Sequence, residues 1–300
     1  MGALNRPQPI LRITLAAIPA NALLAYLLIY GAFGLPKLGL FGAGLATTTV
    51  NFGMFLGGLW FVTQRKPFSD YRIFTRVWRI DWISMRQIVV IGAPISIAIL
   101  LEYGVFSSAG LLMGPIGTAA LAAHQIALQV VSILFMVPLG VGMSATIRVG
   151  HAVGRNDPAA IKRAGYVAML LGTLLSAILT LAVIFARFPI VRLFLGDATM
   201  NGETGGLAAS LLAVGATLFV TDGLQGTAVG ALRGLKDTRI PLLVAAISYW
   251  LIGFPAAYAL AFFTPFGAIG VWIGLSVGTA VNATLLVLRF RWLAIRLARA

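Results

Sequence analysis

Long apolar runs are the feature that most restricts what this chain can become. Mostly apolar stretches long enough to cross a bilayer recur along its 300 residues, and charged residues make up only 10% of them. About 20 such residues span the hydrocarbon core as an α-helix. The runs are continuous, which excludes an outer-membrane barrel built from alternating ten-residue segments. The sequence therefore predicts an all-α integral membrane protein.

Eight transmembrane helices fit these runs. Their predicted bounds are 10–31, 38–63, 87–113, 117–147, 164–186, 207–232, 240–263 and 267–288. The first run is too long for a secretory signal peptide and has no small-residue cleavage site.

The net charge of +14 reports orientation rather than a nucleic-acid partner. With a cytoplasmic N-terminus, all but three of the 22 Lys and Arg residues fall on cytoplasmic segments; the exceptions are Lys37, Arg187 and Arg192. This is the positive-inside pattern. It predicts that both termini are cytoplasmic and that the basic segments contact anionic membrane lipid.

The longest polar connection, 64–86, divides the chain. Phe74, Val77 and Trp78 recur there at helical spacing between arginines. This pattern predicts a basic amphipathic helix on the cytoplasmic interface, and the alternative is a flexible linker. The predicted organisation is a helix pair in 1–63, a cytoplasmic connector in 64–86 and six helices in 87–300.

A faint repeat supports this organisation. Tyr30, Gly39 and Gly42 match the same residue types at 258, 267 and 270, a constant offset of 228 positions that equals six spans with their loops. Transporters are often built from duplicated halves. We therefore expect 1–63 to hold the last two helices of an N-terminal lobe and 87–300 to form a complete six-helix C-terminal lobe. Four helices of the first lobe would then lie outside this chain.

Glycines at four-residue spacing predict close helix packing within the second lobe. The two sets are Gly226, Gly230 and Gly234, and Gly270, Gly274 and Gly278. Small residues at this spacing allow two helix backbones to approach each other.

Glu102 and Asp222 are carboxylates inside long apolar spans. Such a group costs about 3 kcal/mol or more at the bilayer centre, so it usually faces a cavity, a partner or an ion. Counting along the helices places them about 22 and 15 Å from the cytoplasmic ends of their spans. The pair predicts a proton relay or a sodium site. Hydroxyls near them that could help to hold sodium belong to Ser107, Ser108 and Thr221.

Other polar and aromatic residues have two interpretations each. His124 is either an interhelical hydrogen-bonding residue or a proton relay. Tyr249 and Trp250 either stack on a cationic aromatic substrate or belong to the interfacial belt. Glu102 and Asp222 themselves could simply hydrogen-bond within the helix bundle.

Four motifs occur in order along the second lobe. They are Ala119–Leu128 with its Ala-Ala-His-Gln, Pro138–Gly150, Gly230–Pro241 with its Arg-Gly-Leu-Lys-Asp, and Gly267–Gly274. Together they closely resemble the multidrug and toxic compound extrusion (MATE) family, and its NorM-like branch in particular. The resemblance covers essentially the whole chain.

The resemblance implies a secondary active transporter rather than an enzyme. Members have two six-helix lobes around a central cleft and export cationic, aromatic compounds in exchange for sodium ions or protons. It implies small organic cations as partners and no cofactor other than the coupling ion. It also implies the plasma membrane of a prokaryote, the inner membrane in a Gram-negative cell.

The same resemblance implies roles for single residues. Glu102 falls on the carboxylate of the family's seventh helix and Asp222 on the aspartate of the tenth, the predicted coupling residues. Leu218 stands where some relatives carry a tyrosine. The chain would begin before the fifth of twelve helices, so one alternative is a fragment that does not transport alone.

Two further alternatives concern function. A lipid-linked precursor flippase of the same broader fold should place Lys or Arg inside its cavity, and none lies at mid-span. Arg148, Arg233 and Arg239 are interpreted as helix-end anchors. An intramembrane enzyme would need a nucleophile with a base, or clustered metal ligands. The substrate, the coupling ion and the oligomeric state are open at this point.

Overall fold

A computed structural model describes residues 8–34, 36–66, 81–196 and 202–299. Within these ranges, eight helices are long and apolar enough to cross a membrane, which confirms a multi-pass membrane protein. They are α1 (Gln8–Tyr30), α2 (Gly39–Gln64), α3 (Trp82–Ile116), α4 (Thr118–Gly154), α5 (Pro158–Leu195), α6 (Glu203–Gly234), α7 (Arg239–Phe262) and α8 (Gly267–Arg299).

Several helices extend beyond the ends of the predicted spans. The predicted span 164–186 is the middle of α5, which begins at Pro158 and ends at Leu195. The Asp157 carboxylate accepts a hydrogen bond from the Ala160 amide at 2.9 Å, and a proline suits the first turn. Hydropathy marks the part of a helix that lies in hydrocarbon, whereas caps decide where the helix ends. For the same reason α8 continues from the predicted end at 288 to Arg299.

The predicted connector is described only at its edges. Residues 67–80 lie outside the described residues, so the amphipathic helix stays a prediction. Helix α3 begins at Trp82, not at 87, because Asp81 caps it with hydrogen bonds from the Ile83 and Ser84 amides. The Ser84 hydroxyl also donates to Asp81, at 2.7 Å. Hydrogen bonds from Ser84 hold the pKa of Asp81 below its usual value, so it is ionised at neutral pH, where it favours a helix N-terminus.

The chain divides into two compact units, Met1–Met85 and Arg86–Ala300. In the first unit, α1 and α2 pack against each other. The amide of Leu38 donates to the carbonyl of Leu28 at 3.0 Å. Gly42 lies so close to Leu28 that a methyl group there would overlap its backbone.

In the second unit, α6 packs against α4, α5 and α8. Its contact with α4 is a backbone contact: a methyl group on Gly230 would overlap the Gly142 carbonyl, and the Thr146 hydroxyl donates to the Gly230 carbonyl at 2.8 Å. Helices α7 and α8 meet in the same way at Gly274, against the backbone of Ala257. Close packing at the two glycine repeats is thus confirmed.

The middle of α7 departs from α-helical geometry. Residues Ala246–Gly253 form a π-helix, a geometry that is rare and often found at functional sites. This segment carries Ser248, Tyr249 and Trp250 toward α3 and α8.

Candidate functional site

A cavity of about 360 Å³ lies inside the second unit. It is bounded by α3, α4, α6, α8 and the beginning of α7, and most of its lining side chains are apolar. Its polar and charged lining residues are Glu102, Tyr103, Ser107, Ser132, Asp222, Gln225, Arg233, Asp237, Thr238 and Asn282. Such a mostly apolar cavity with a few convergent polar groups is the usual form of a small-molecule or ion site.

The two predicted carboxylates lie at this cavity together. Glu102 and Asp222 are close enough to interact electrostatically, although they belong to different helices. Asp222 is 5% exposed and Glu102 is half-buried. The cavity therefore holds two carboxylates that share one neighbourhood, which sequence alone did not show.

Two aromatic side chains of the π-helical segment fasten α7 to α3 beside Glu102. The Tyr249 hydroxyl donates to Oε1 of Glu102 at 3.3 Å, and the indole of Trp250 donates to the Leu101 carbonyl at 3.1 Å. Tyr249 is fully buried, so it offers its hydroxyl rather than a ring face. Neither residue belongs to the lining of the cavity. The geometry thus gives both a positioning role next to the carboxylate.

Several buried polar atoms around the carboxylates have no hydrogen-bond partner among the described residues. They include Asp222 Oδ1, Gln225 Oε1 and both amide atoms of Asn282. The Gln225 side chain lies within polar interaction range of Glu102, and that of Asn282 within range of Tyr249. Buried polar groups in proteins are normally satisfied, so unsatisfied ones call for an explanation. Oxygen atoms left in this way are suited to receive a cation.

Gln225 and Asn282 were missed at the level of sequence. Both are uncharged, and only the fold shows that their helix faces meet at one cavity. The available signal was their position: an amide inside an apolar span is a polar residue that must find a partner in the membrane.

The predicted accessory hydroxyls are separated by the fold. Ser107 lines the cavity, whereas Ser108 and Thr221 are not among its lining residues. The Thr221 hydroxyl donates to the Leu218 carbonyl of its own helix at 2.8 Å. That local bond uses the hydroxyl's donor within α6 and leaves its oxygen able to accept. Sequence spacing alone could not separate these three residues.

His124 is fully buried and is not among the residues that line the cavity. Its Nδ1 accepts a hydrogen bond from the indole of Trp272 on α8 at 3.1 Å. Its Nε2 has no partner among the described residues, and Gly110 of α3 packs beside it. This geometry favours the interhelical hydrogen bond over the proton relay.

Replacing Trp272 by phenylalanine tests that assignment. The change removes the donor and leaves both ring nitrogens of His124 unsatisfied, so we expect the free energy of unfolding to fall by about 1–3 kcal/mol. Cation binding by the purified chain should not change. Thermal unfolding in detergent and cation titration measure the two effects. Altered cation binding at unchanged stability would instead favour the relay.

The remaining charged lining residues lie toward the other end of the cavity. Nε of Arg289 donates to Oδ2 of Asp237 at 2.7 Å, an ion pair that joins α8 to the turn after α6. Arg233 occupies the last turn of α6 and lines the cavity as well. Its interpretation as a helix-end anchor alone was therefore incomplete.

The potential cation ligands at the site are oxygen atoms. Within the described ranges, no three His, Cys, Asp or Glu side chains come together in a group that could hold a metal ion. Its oxygens belong to carboxylates, of which Asp237 is already paired with Arg289, and to neutral amides and hydroxyls. That set suits a proton or a hard monovalent cation.

Residues 94–259 match the family model described as MatE. The chain is 63% identical over 297 residues to "Probable multidrug resistance protein NorM" of Bradyrhizobium diazoefficiens, covering 99% of this chain and 64% of that protein. It is 43% identical over 289 residues to "Multidrug resistance protein NorM" of Burkholderia vietnamiensis, covering 96% of this chain and 62% of that protein.

Solved structures resemble the fold. The crystal structure of the eukaryotic MATE transporter AtDTX14 aligns with a TM-score of 0.83 at 25% identity, over 96% of this chain and 64% of that one. An outward-facing multidrug resistance MATE family transporter of the MOP superfamily aligns with a TM-score of 0.80 at 19% identity, over 94% and 61%. The chain spans less than two thirds of the length of these relatives.

Proposed function

Because the chain belongs to the MatE family, we propose that it carries the ion-coupling site of a multidrug exporter. The exporter would exchange sodium ions or protons for small cationic, aromatic compounds by alternating access. It would lie in a prokaryotic plasma membrane with both termini in the cytoplasm. The observation that carries the proposal is the meeting of Glu102 and Asp222 in one cavity of the membrane-spanning unit.

The chemistry of the pair explains why an ion would couple to conformation. Two carboxylates at this depth are costly unless a proton or a cation neutralises them. A conformation that buries the pair is therefore favoured when an ion is bound and disfavoured when it has left. Ligand-driven shifts of this kind require only different ion affinities in the two conformations.

The neutral oxygens favour sodium over a proton as the coupling ion. A proton needs one carboxylate oxygen, whereas a hard cation is held by several oxygens at once. Asp222 Oδ1, Gln225 Oε1 and Asn282 Oδ1 are buried and without partners among the described residues. Together with Glu102 they would supply such a set.

A flippase for lipid-linked precursors is the second candidate. Arg233 places one guanidinium at the cavity, where it could bind a phosphate. Two carboxylates at the same cavity would repel that phosphate, so the exporter explains more of the charges present.

The experiment uses the full chain, purified and reconstituted in liposomes. Efflux of ethidium is followed under a sodium gradient alone and under a proton gradient alone. We expect the sodium gradient to drive it; efflux under the proton gradient alone would make the proton the coupling ion. In parallel, tryptophan fluorescence of the chain in detergent is titrated with NaCl at constant ionic strength and, without sodium, with pH. No response to either cation would contradict the proposed coupling site. Transport of an anionic lipid without ion dependence would favour the flippase.

A further inference from the structure

Arg233 differs from the neighbouring arginine at this end of the second unit. Arg289 is paired with Asp237, whereas Arg233 forms no ion pair among the described residues. It is half-buried and lines the same cavity as Glu102 and Asp222. A partly buried charge is costly when it is unpaired, so we expect this guanidinium to have a functional role at the cavity.

The register of α6 directs Arg233 and Asp222 toward the same space. Asp222, Gly226, Val229 and Arg233 follow one another at helical spacing, and all four line the cavity. Eleven residues separate the two charges, about 16 Å along the helix axis. Between them α6 lines the cavity with a glutamine, a glycine and a valine, and with no charged side chain. The guanidinium is in electrostatic range of Glu102 across the cavity.

We propose that Arg233 is a tethered counter-charge that stabilises the ion-free form of the carboxylate pair and so weakens its hold on the coupling cation. This inference rests on the proposed function of Glu102 and Asp222. When the cation leaves, two negative charges remain in a poorly hydrated place, and a nearby positive charge lowers that cost. The same charge repels an incoming cation.

The position of Arg233 gives this effect a direction. It lies in the last turn of α6, at the end assigned to the cytoplasm by the positive-inside pattern. An exporter driven by an inward ion gradient must release its coupling ion on that side. A counter-charge at that end lowers the affinity of the pair where release has to occur.

The neighbouring charged and titratable groups do not replace Arg233. Glu102 comes from α3, Asp222 from α6 and Tyr249 from α7. Asp237 is held by Arg289 of α8, so that pair contributes little net charge. Of these groups, Arg233 is the positive charge without an opposite partner.

The matched control is Arg239, in the first turn of α7. It is also assigned to the cytoplasmic end, but it is exposed and does not belong to the lining of the cavity. An arginine that only anchors a helix end in anionic lipid would act in the same way at both positions.

The test compares Arg233→Gln, Arg233→Lys and Arg239→Gln in the purified full chain. Tryptophan fluorescence is titrated with NaCl against choline chloride at constant ionic strength, and with pH in sodium-free buffer. Trp250 is a suitable reporter because its indole bonds the residue before Glu102. We expect Arg233→Gln to bind the cation about fivefold more tightly, as for a unit charge acting over about 15 Å at an effective dielectric constant of about 20. Arg233→Lys and Arg239→Gln should stay near wild type.

Unchanged or weaker cation binding in a cooperatively folded Arg233→Gln protein would overturn the inference. An equal shift in Arg239→Gln would also overturn it, because the effect would then be one of general surface charge. Asp222→Asn separates the two proposals. The proposed function fails if wild type shows no response to the cation, or if Asp222→Asn does not remove that response. If that response exists and Arg233→Gln does not strengthen it, only the inference fails.

Discussion

Asp222→Asn is expected to weaken cation binding by the purified chain about 100-fold or more. The substitution keeps the shape of the side chain and removes its charge. Asp222 is 5% exposed, and its Oδ1 has no partner among the described residues, so solvent cannot supply the lost interaction. A direct contact between opposite unit charges in a site of this kind is worth about 4 kcal/mol, or roughly 1000-fold in affinity, and the amide oxygen of asparagine can keep part of that interaction.

Glu102→Gln is expected to have a smaller effect, about tenfold, because Glu102 is half-buried and also bonded by Tyr249. The control is Glu203→Gln, an exposed carboxylate at the other end of α6, which should bind the cation as wild type does. Titrations of tryptophan fluorescence with NaCl and with pH measure all three. An Asp222→Asn protein with wild-type affinity would remove Asp222 from the coupling site and leave the hydrogen-bonding interpretation of the pair.

Gly230→Ala is expected to destabilise the second unit by about 3 kcal/mol. The added methyl group would overlap the carbonyl of Gly142, and a backbone atom cannot rotate away as a side chain does. Separating α4 from α6 would also stretch the hydrogen bond from Thr146 to the Gly230 carbonyl. Overpacking usually costs about 1–3 kcal/mol, and a clash with backbone lies at the upper end of that range.

The matched control for Gly230→Ala lies in the same helix. No atom comes within 4 Å of a methyl group added at Gly206. Gly206→Ala should therefore gain up to about 1 kcal/mol from helix propensity. Denaturant or thermal unfolding in detergent compares the two. Equal stabilities would mean that α4 and α6 do not touch through their backbones.

The fold class and the two carboxylates were predictable because each is visible as an unusual pattern of polarity. The apolar runs are unusually long, and the two carboxylates are charges inside such runs. The backbone N–H and C=O groups of a continuous apolar run find no partners in hydrocarbon and must bond within the run. The eight runs are therefore expected to be helices. Glu102 and Asp222 stand out because a charge inside such a run is costly. The convergence of the two on one cavity was not predictable, since it depends on which faces of α3 and α6 line that cavity in the fold.

Other parts of the candidate site follow from packing and were hidden in the sequence. Gln225 and Asn282 carry no charge, so the sequence did not predict them as site residues. Arg233 looked like the many arginines at cytoplasmic helix ends, and only the cavity distinguishes it from Arg239. The Thr221 hydroxyl donates to the Leu218 carbonyl of its own helix, a bond that its place beside Asp222 did not indicate, and its role as an accessory ligand stays a prediction.

The backbone contact between α4 and α6 also determines how the cavity can deform. No layer of side chains lies between the helices at Gly142 and Gly230, so this pair has almost nothing to compress and forms a stiff wall. The α3 side is more compliant: α3 contains Pro94, which removes a helix hydrogen bond. Outside the lining, α3 is bonded by Tyr249 and Trp250 of the π-helical segment of α7. If an ion binds as proposed, we therefore expect the movement that follows to be larger on the α3 side, which carries Glu102, than on the α6 side, which carries Asp222.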